Sequence, residues 1–249
     1  MRHLDAFADG LITAHQNGQG FFPKGLAPKT PAEAYYVQDR VVAALGPVAG
    51  FKTARKPGQA TIMAPILDRF AFATGASVPI GDSMGLELEI GWQIIAPLPE
   101  ASAGDLDAKL RHCVRPVPVI ELVDCRLRGP VAQDPVAKLA DFQINKGVII
   151  GRPLDDWDGR DFGAVKGRMV AGDQTLLDGP AEVPGGSALT TLGVFLAEIG
   201  ARGGGLDVGQ VVITGSLHPL TYVALPCEVL GRIDGLGTVA VTLSGHQRE

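Results

Sequence analysis

Leu86-Glu87-Leu88-Glu89-Ile90-Gly91-Trp92-Gln93-Ile94 alternates without a break between apolar residues and polar or small ones. An extended strand sends successive side chains to opposite faces. Leu86, Leu88, Ile90, Trp92 and Ile94 therefore share one face, and Glu87, Glu89, Gly91 and Gln93 share the other. The first face belongs against a core. The second carries two carboxylates one pleat apart, close enough for both to reach a single cation. A period of two excludes a helix here, so the protein is organised around a sheet.

The pattern extends outward in both directions. From residue 48 onward, VAGFKTA, ASVPI, VPVIELVDC, KGVIIG, QVVITGSL, LPCEVLGRI and TVAVTLS are β-rich runs bounded by Gly, Pro or Asp. The last two close as a hairpin on Asp234-Gly235. DLDAKLRHCV (105–114) and SALTTLGVFLAEIGA (187–201) interrupt them as helices, the second with Leu192, Phe195, Leu196 and Ile199 on one face. Before residue 48 the character differs. Leu4, Phe7, Leu11 and Ile12 mark a helix that ends at Asn17-Gly18, and Thr30-Pro31-Ala32-Glu33 opens a second that ends at Gly46. The chain thus divides into an N-terminal helical segment, 1–47, packed on a catalytic sheet domain, 48–249. The fold class is α+β, with a mixed sheet that is rolled or barrel-like rather than a regular βαβ succession.

Bulk properties narrow the function. At 249 residues, 46% hydrophobic and 20% charged, the chain is long and apolar enough for a sizeable core. A net charge of -5 with no basic stripe offers nucleic acid no attractive field. No apolar run reaches the length of a membrane span, and the N-terminus lacks a signal-peptide apolar centre. Cys113, Cys125 and Cys227 form no CxxC pair, which favours reduced thiols and a cytoplasmic protein.

Glu121 lies inside Val117-Pro118-Val119-Ile120-Glu121-Leu122-Val123, a run apolar enough to be a buried strand. A carboxylate there needs a partner, because an isolated buried charge is costly. Two arrangements satisfy it. Glu87, Glu89 and Glu121 can hold one divalent ion, and three oxygen ligands on two rigid strands suit Mg2+ or Mn2+. Alternatively, Glu87 and Glu89 line a solvated face while Glu121 pairs with an Arg or Lys.

PAEAYYVQDRVVA, the GFK turn at 50–52, LELEIGWQI, PVIELVDCRL, KGVIIG, GVFLAEIGA and GQVVITGSL stand in one order along the chain. That order resembles the 2-keto-4-pentenoate hydratases and the related 4-oxalocrotonate decarboxylases of the fumarylacetoacetate hydrolase superfamily, from about residue 30 to the end. The resemblance implies a mixed β-roll or distorted β-barrel core with flanking helices, and a homo-oligomer. It implies Mg2+ or Mn2+ on Glu87, Glu89 and Glu121, and a small 2-oxo acid as substrate. Lys52 looks like the family's active-site lysine, placed to neutralise a substrate carboxylate or move a proton. Asp141 resembles a pocket-loop aspartate, with a turn-capping role as its other reading. Thr214-Gly215-Ser216 looks like the family's pocket turn, whose amides could receive a carboxylate. The implied activity is a metal-dependent hydro-lyase that hydrates a 2-hydroxy-2,4-dienoate. Decarboxylation or C–C hydrolysis on the same metal, or a diverged non-catalytic binding protein, are the alternatives.

Two departures bear on the substrate. KPGQATIMAPILD (56–68), which follows Lys52 and Arg55 and opens with Lys56, is shorter than the corresponding segment of related hydratases and has no acid before Asp68. Ser187-Ala188-Leu189 replaces a His-Pro or Asn-Pro turn before the late helix. One rival motif is present by letter: Gly81-Asp82-Ser83-Met84-Gly85 matches a GxSxG nucleophile elbow, with Asp124 and His218 following in α/β-hydrolase order. The elbow needs a helix after the serine, and a strand follows here. His218 itself reads as a solvated loop residue.

Overall fold

In the computed structural model, which describes residues 2–55 and 61–245, the chain opens with two helices, α1 (Arg2–Asn17) and α2 (Pro31–Leu45). The start of α2 is fixed as its sequence requires. Thr30 accepts a hydrogen bond from the Glu33 backbone N–H, and the Glu33 carboxylate accepts one from Lys29 N–H. Four strands follow: β1 (Val48–Ala54), β2 (Ile62–Leu67), β3 (Ala71–Ala73) and β4 (Ala76–Pro79). The alternating stretch forms β5 (Ser83–Ile94); then come α3 (Leu106–Cys113), β6 (Val114–Val123), α4 (Pro135–Ala140) and β7 (Asn145–Ile150). A hairpin, β8 (Ala164–Ala171) and β9 (Gln174–Glu182), precedes α5 (Ala188–Ile199). The chain ends with β10 (Val211–Ser216), β11 (Thr221–Ala224), β12 (Cys227–Ile233) and β13 (Gly237–Ser244).

These strands make two mixed sheets. The larger runs β2-β1-β10-β5-β6-β7-β3, and the smaller β4-β13-β12-β8-β9. β5 is the hub of the larger one. It pairs with β6 along one edge, and with β10 and then β11 in succession along the other. Leu86, Leu88, Ile90 and Trp92 point to the smaller sheet and share a core with Met169, Val229, Val239 and Val241. Trp92 also donates its indole N–H to Ala188 O, which ties β5 to the start of α5.

The opposite face of β5 looks into a concavity. The larger sheet curls until β2 lies against β7, although the two are not hydrogen-bonded to each other. No closed barrel forms among the described residues, which corrects the barrel expectation; the α+β class and the mixed sheet stand. Ile66, Val117, Val119, Val148, Val211 and Ile213 fill one end of the curl. The other end is where Glu87, Glu89, Glu121 and Lys52 sit. The apolar plug makes the concavity blind at one end. Helices α1, α2 and α4 pack together over β2 and bury Leu4, Phe7, Leu11, Val37 and Val41.

Lys56 and the first part of the shortened segment, 56–60, lie outside the described residues. The hairpin β8–β9 and strands β2, β3 and β11 are additions to the elements expected from sequence. Ser83 opens a strand, not a helix, so the nucleophile elbow is absent from the fold. Ser187 caps α5 by accepting from Thr190 N–H, which accounts for the departure at that position.

Lys52 depends on how closely β1 approaches its parallel partner β10. A Cβ on Gly50 would stand 1.9 Å from Val211 O. The obstacle is backbone, so an alanine must push the two strands apart. Gly50→Ala is expected to lower the unfolding free energy by more than about 2 kcal/mol in urea titration.

Candidate metal centre

Alternation along three strands builds the site. Phe51 packs against Phe195 of α5 on the outer face of the sheet, so Lys52 turns inward. Glu87 and Glu121 stand directly opposite in the β5–β6 register, and Glu89 follows one pleat further on the same face. One oxygen from each of the three carboxylates lies within 4.8 Å of the others. Glu89 and Glu121 are buried.

Each acid is held in place. Lys52 Nζ donates to both Glu121 oxygens, at 2.6 and 2.7 Å, and Asn145 Nδ2 donates to Glu121 Oε1 at 2.7 Å. Glu89 Oε2 accepts from Gly215 N–H at 2.7 Å. Gly215 has φ +108° and a Cβ there would meet Pro184, so only glycine brings that amide to the acid without strain. Glu121 thus pairs with a lysine, as its second reading had it, and also stands in the acid cluster; Glu89 is buried and not on a solvated face.

The charges do not balance. Three carboxylates face one ammonium, so with all of them ionised two negative charges stand uncompensated in a largely buried space. Burial pushes the Glu87 carboxyl up to about 7; the Glu121 charge adds to the shift, and Lys52 opposes it. Glu89 is lifted well above the usual carboxylate range, by burial first and then by Glu121 and Glu87. Burial acts to lower the Lys52 ammonium, but Glu121, Glu89 and Glu87 outweigh it and hold the group above its ordinary value. An excess of two negative charges on hard oxygen donors fits a divalent cation.

Glu87, Glu89 and Lys52 line a cavity of about 280 Å³, whereas the fully buried Glu121 is not among its lining residues. Its walls include Ile62, Met63, Val123, Ile144, Pro184 and Leu220, which are apolar. Such a space suits a small acid.

Not every residue expected at the site is there. Gly215 and Ser216 line the cavity, whereas Thr214 is turned away and donates to Ile90 O. The Gly215 amide is committed to Glu89, which removes it as a carboxylate receptor. Asp141 does not line the cavity. It is fully buried, with Oδ2 accepting from Arg126 N–H at 2.8 Å and Oδ1 from the Arg126 guanidinium at 3.0 Å. It stands at the C-terminus of α4, in keeping with its turn-capping reading. Arg55 donates to Gly185 O beside the cavity. His218 is buried in the bulge between β10 and β11. Its Nε2 accepts from Leu88 N–H at 3.1 Å and its Nδ1 lies 2.9 Å from Pro219 O, so the ring fills a gap in the ladder.

Sequence reading missed a brace behind the site. Arg126 reaches Asp141 with one nitrogen and Asn145 O with another, at 2.6 Å. Between those anchors Phe142, Gln143 and Ile144 have φ of +52°, +50° and +57°. The left-handed region costs a non-glycine residue about 1–2 kcal/mol, and a β-branched residue there is an outlier. Neither glycine nor asparagine marks the turn. The buried ion pair holds it.

No family model matches the sequence. The fold is that of a set of enzymes with solved structures. One is 4-oxalocrotonate decarboxylase from Pseudomonas putida G7, complexed with magnesium and adipate; it matches at TM-score 0.76 with 21% identity over 97% of each chain. Another is 2-hydroxyhepta-2,4-diene-1,7-dioate isomerase from Mycobacterium marinum, at 0.56 and 16%, covering 82% of this chain and 78% of that one. A third is fumarylpyruvate hydrolase from Pseudomonas aeruginosa, in complex with Mn2+ and pyruvate, at 0.54 and 14%, covering 79% and 89%. None of the described helices is long and apolar enough to cross a membrane.

The raised carboxyls have a measurable consequence. A folded-state pKa above the unfolded value contributes stability below the unfolded pKa that is lost as pH rises through the folded one. Glu87, lifted to about 7, and Glu89, lifted well above the usual carboxylate range, therefore weaken the metal-free protein as pH rises from that range through neutrality. His15 and His218, whose pKa values burial lowers, act in the opposite direction and equally with or without metal. The stabilisation gained from saturating Mn2+ should thus grow over the same rise in pH, read as the difference between metal-loaded and chelator-treated unfolding curves. A difference independent of pH would contradict the assignment of Glu87 and Glu89 as ligands.

Proposed function

We propose that this chain is a divalent-metal-dependent enzyme acting on a small 2-oxo acid, and that it belongs with the 2-keto-4-pentenoate hydratases and 4-oxalocrotonate decarboxylases of the fumarylacetoacetate hydrolase superfamily. Within that class the reading is a hydratase, which converts a 2-hydroxy-2,4-dienoate to a 4-hydroxy-2-oxo acid. The observation that carries it is the convergence of Glu87, Glu89 and Glu121 with Lys52, at a small, largely apolar cavity that Glu87, Glu89 and Lys52 line. Similarity of fold to enzymes whose structures hold magnesium or Mn2+ with small carboxylates adds support.

Glu87, Glu89 and Glu121 would hold Mg2+ or Mn2+, which supplies Lewis-acid stabilisation of the negative charge that develops on the 2-oxo oxygen. The protein's own groups do the rest. Lys52, fixed beside Glu121, offsets the substrate carboxylate and holds a proton at Nζ for the enol-to-keto step. In that step the dienol carries a proton to its terminal carbon as the oxygen becomes a ketone. Water then adds across the remaining double bond. Asp141 takes no part in proton transfer, because Arg126 occupies both its oxygens. The walls around Val123, Ile144 and Leu220 limit the water that reaches the substrate.

Decarboxylation of a 2-oxo diacid is the second reading, favoured by the similarity to the decarboxylase. Both substrates should be assayed in parallel, 2-hydroxypenta-2,4-dienoate and 4-oxalocrotonate, with Mn2+ and with a chelator. Metal-dependent hydration of the dienoate is expected. Glu89→Gln should lower kcat/KM by at least roughly a hundredfold while the fold is retained. Full turnover by the chelated enzyme would sink the mechanism, and inertness on both substrates with metal present would favour a binding protein.

A further inference from the structure

Gln143 is the cavity residue that the mechanism leaves unused. Its backbone oxygen accepts from Lys52 Nζ at 3.4 Å, so the residue stands next to the acid cluster. Most other polar side chains of the cavity are already engaged. Thr53 donates to Ile62 O, Ser216 donates to His218 O, Lys52 and Glu89 have the partners given above, and Glu87 is assigned to the metal. Among the described residues, the Gln143 carboxamide has no hydrogen-bond partner. It is a neutral donor and acceptor on a residue that lines a small, largely apolar cavity.

Backbone strain points to the same residue. Gln143 sits at φ +50°, ψ +39°, the middle of the left-handed turn from Phe142 to Ile144. Asp141 and Asn145 fasten its two ends through Arg126, and Asn145 goes on to hold Glu121. One brace therefore sets both a metal-ligand candidate and Gln143. Sparsely populated backbone persists where its surroundings over-determine it, and such places cluster at ligand clamps. A glycine would hold this turn at less strain but would carry no amide.

We infer that Gln143 is a specificity-determining residue that reads the hydroxyl which hydration places on the 2-oxo acid, beyond its carboxylate end. This rests on the proposed metal-bound 2-oxo acid, and it adds what the far end becomes: a tail bearing a hydroxyl and no second carboxylate. A charged tail would meet walls that, among the described residues, carry no cation besides Lys52, and Lys52 is paired with Glu121. A site built to pair a substrate hydroxyl discriminates against an analogue lacking it, because the site's own polar group is then left unpaired.

The test is a binding cycle on the Mn2+-loaded protein with three probes: 2-oxopentanoate, 4-hydroxy-2-oxopentanoate and 2-oxoglutarate. Calorimetry gives Mn2+ affinity and probe affinity separately. The wild type should bind 4-hydroxy-2-oxopentanoate about tenfold more tightly than 2-oxopentanoate, and 2-oxoglutarate at least tenfold more weakly than either. In Gln143→Leu the preference for the hydroxyl should vanish, with affinities for Mn2+ and 2-oxopentanoate unchanged. Gln143→Gly, which suits the left-handed backbone, provides the same comparison should the leucine variant fail to fold. Survival of the hydroxyl preference in either folded variant, or tighter binding of 2-oxoglutarate by the wild type, overturns the inference and leaves the metal-dependent reading intact. Failure of the wild type to bind Mn2+, or 2-oxopentanoate once Mn2+ is bound, overturns both.

Discussion

Three carboxylates and one ammonium share a largely buried space, and the rest of the structure is arranged around that imbalance. Burial alone would drive Glu87 and Glu89 to bind protons, and repulsion from Glu121 adds to it. The fold sustains the crowding because the four groups are spread over three strands. Glu87 and Glu89 belong to β5, Glu121 to β6 and Lys52 to β1. Hydrogen bonding across the ladder fixes these strands to within a fraction of a side-chain length. A loop could relax away from such repulsion; paired strands cannot. The imbalance is thus a standing attraction for a divalent cation, set by backbone pairing rather than by side-chain choice.

The curl of the larger sheet determines what that attraction is used for. Valine and isoleucine side chains fill one end of the concavity, so the acids face a cavity with a single open side. The smaller sheet supports β5 from behind through Leu86, Leu88, Ile90 and Trp92, and Trp92 is further locked to α5. Helix α4 and Arg126 support β6 and β7 from the side. Charge placement and apolar packing therefore share the same strands on opposite faces. A change in either face is felt by the other.

Much of this was legible in the sequence, and the legible part has a common cause. Strict alternation placed Glu87 and Glu89 together, and an apolar run around Glu121 announced a buried acid. Both readings follow from strand geometry, which is local; Lys52 was singled out by the resemblance. The brace of Arg126, Asp141 and Asn145 was not legible, because its members meet only when β6, α4 and β7 pack. Nothing in Asp141 itself told a pocket acid from an ion-paired one. The left-handed turn at Phe142–Ile144 carries no glycine, so its conformation is imposed by that brace and leaves no mark on composition. The hairpin β8–β9 escaped for a different reason. Lys166, Arg168 and Asp178 share one face, and the other face of β8 is Val165, Gly167, Met169 and Ala171, an apolar row thinned by small residues. His218 was read as solvated because its partner, Leu88 N–H, comes from a strand far away in sequence.

The account stands on a cation binding where the charges fail to balance. Crystals grown with Mn2+ and examined at the manganese absorption edge test that claim directly. The prediction is one strong anomalous peak bonded to oxygens of Glu87, Glu89 and Glu121, and no such peak in crystals of Glu89→Gln grown the same way. A wild-type crystal with the cavity in its described form and no manganese at the three acids, or with manganese bound elsewhere, would contradict it.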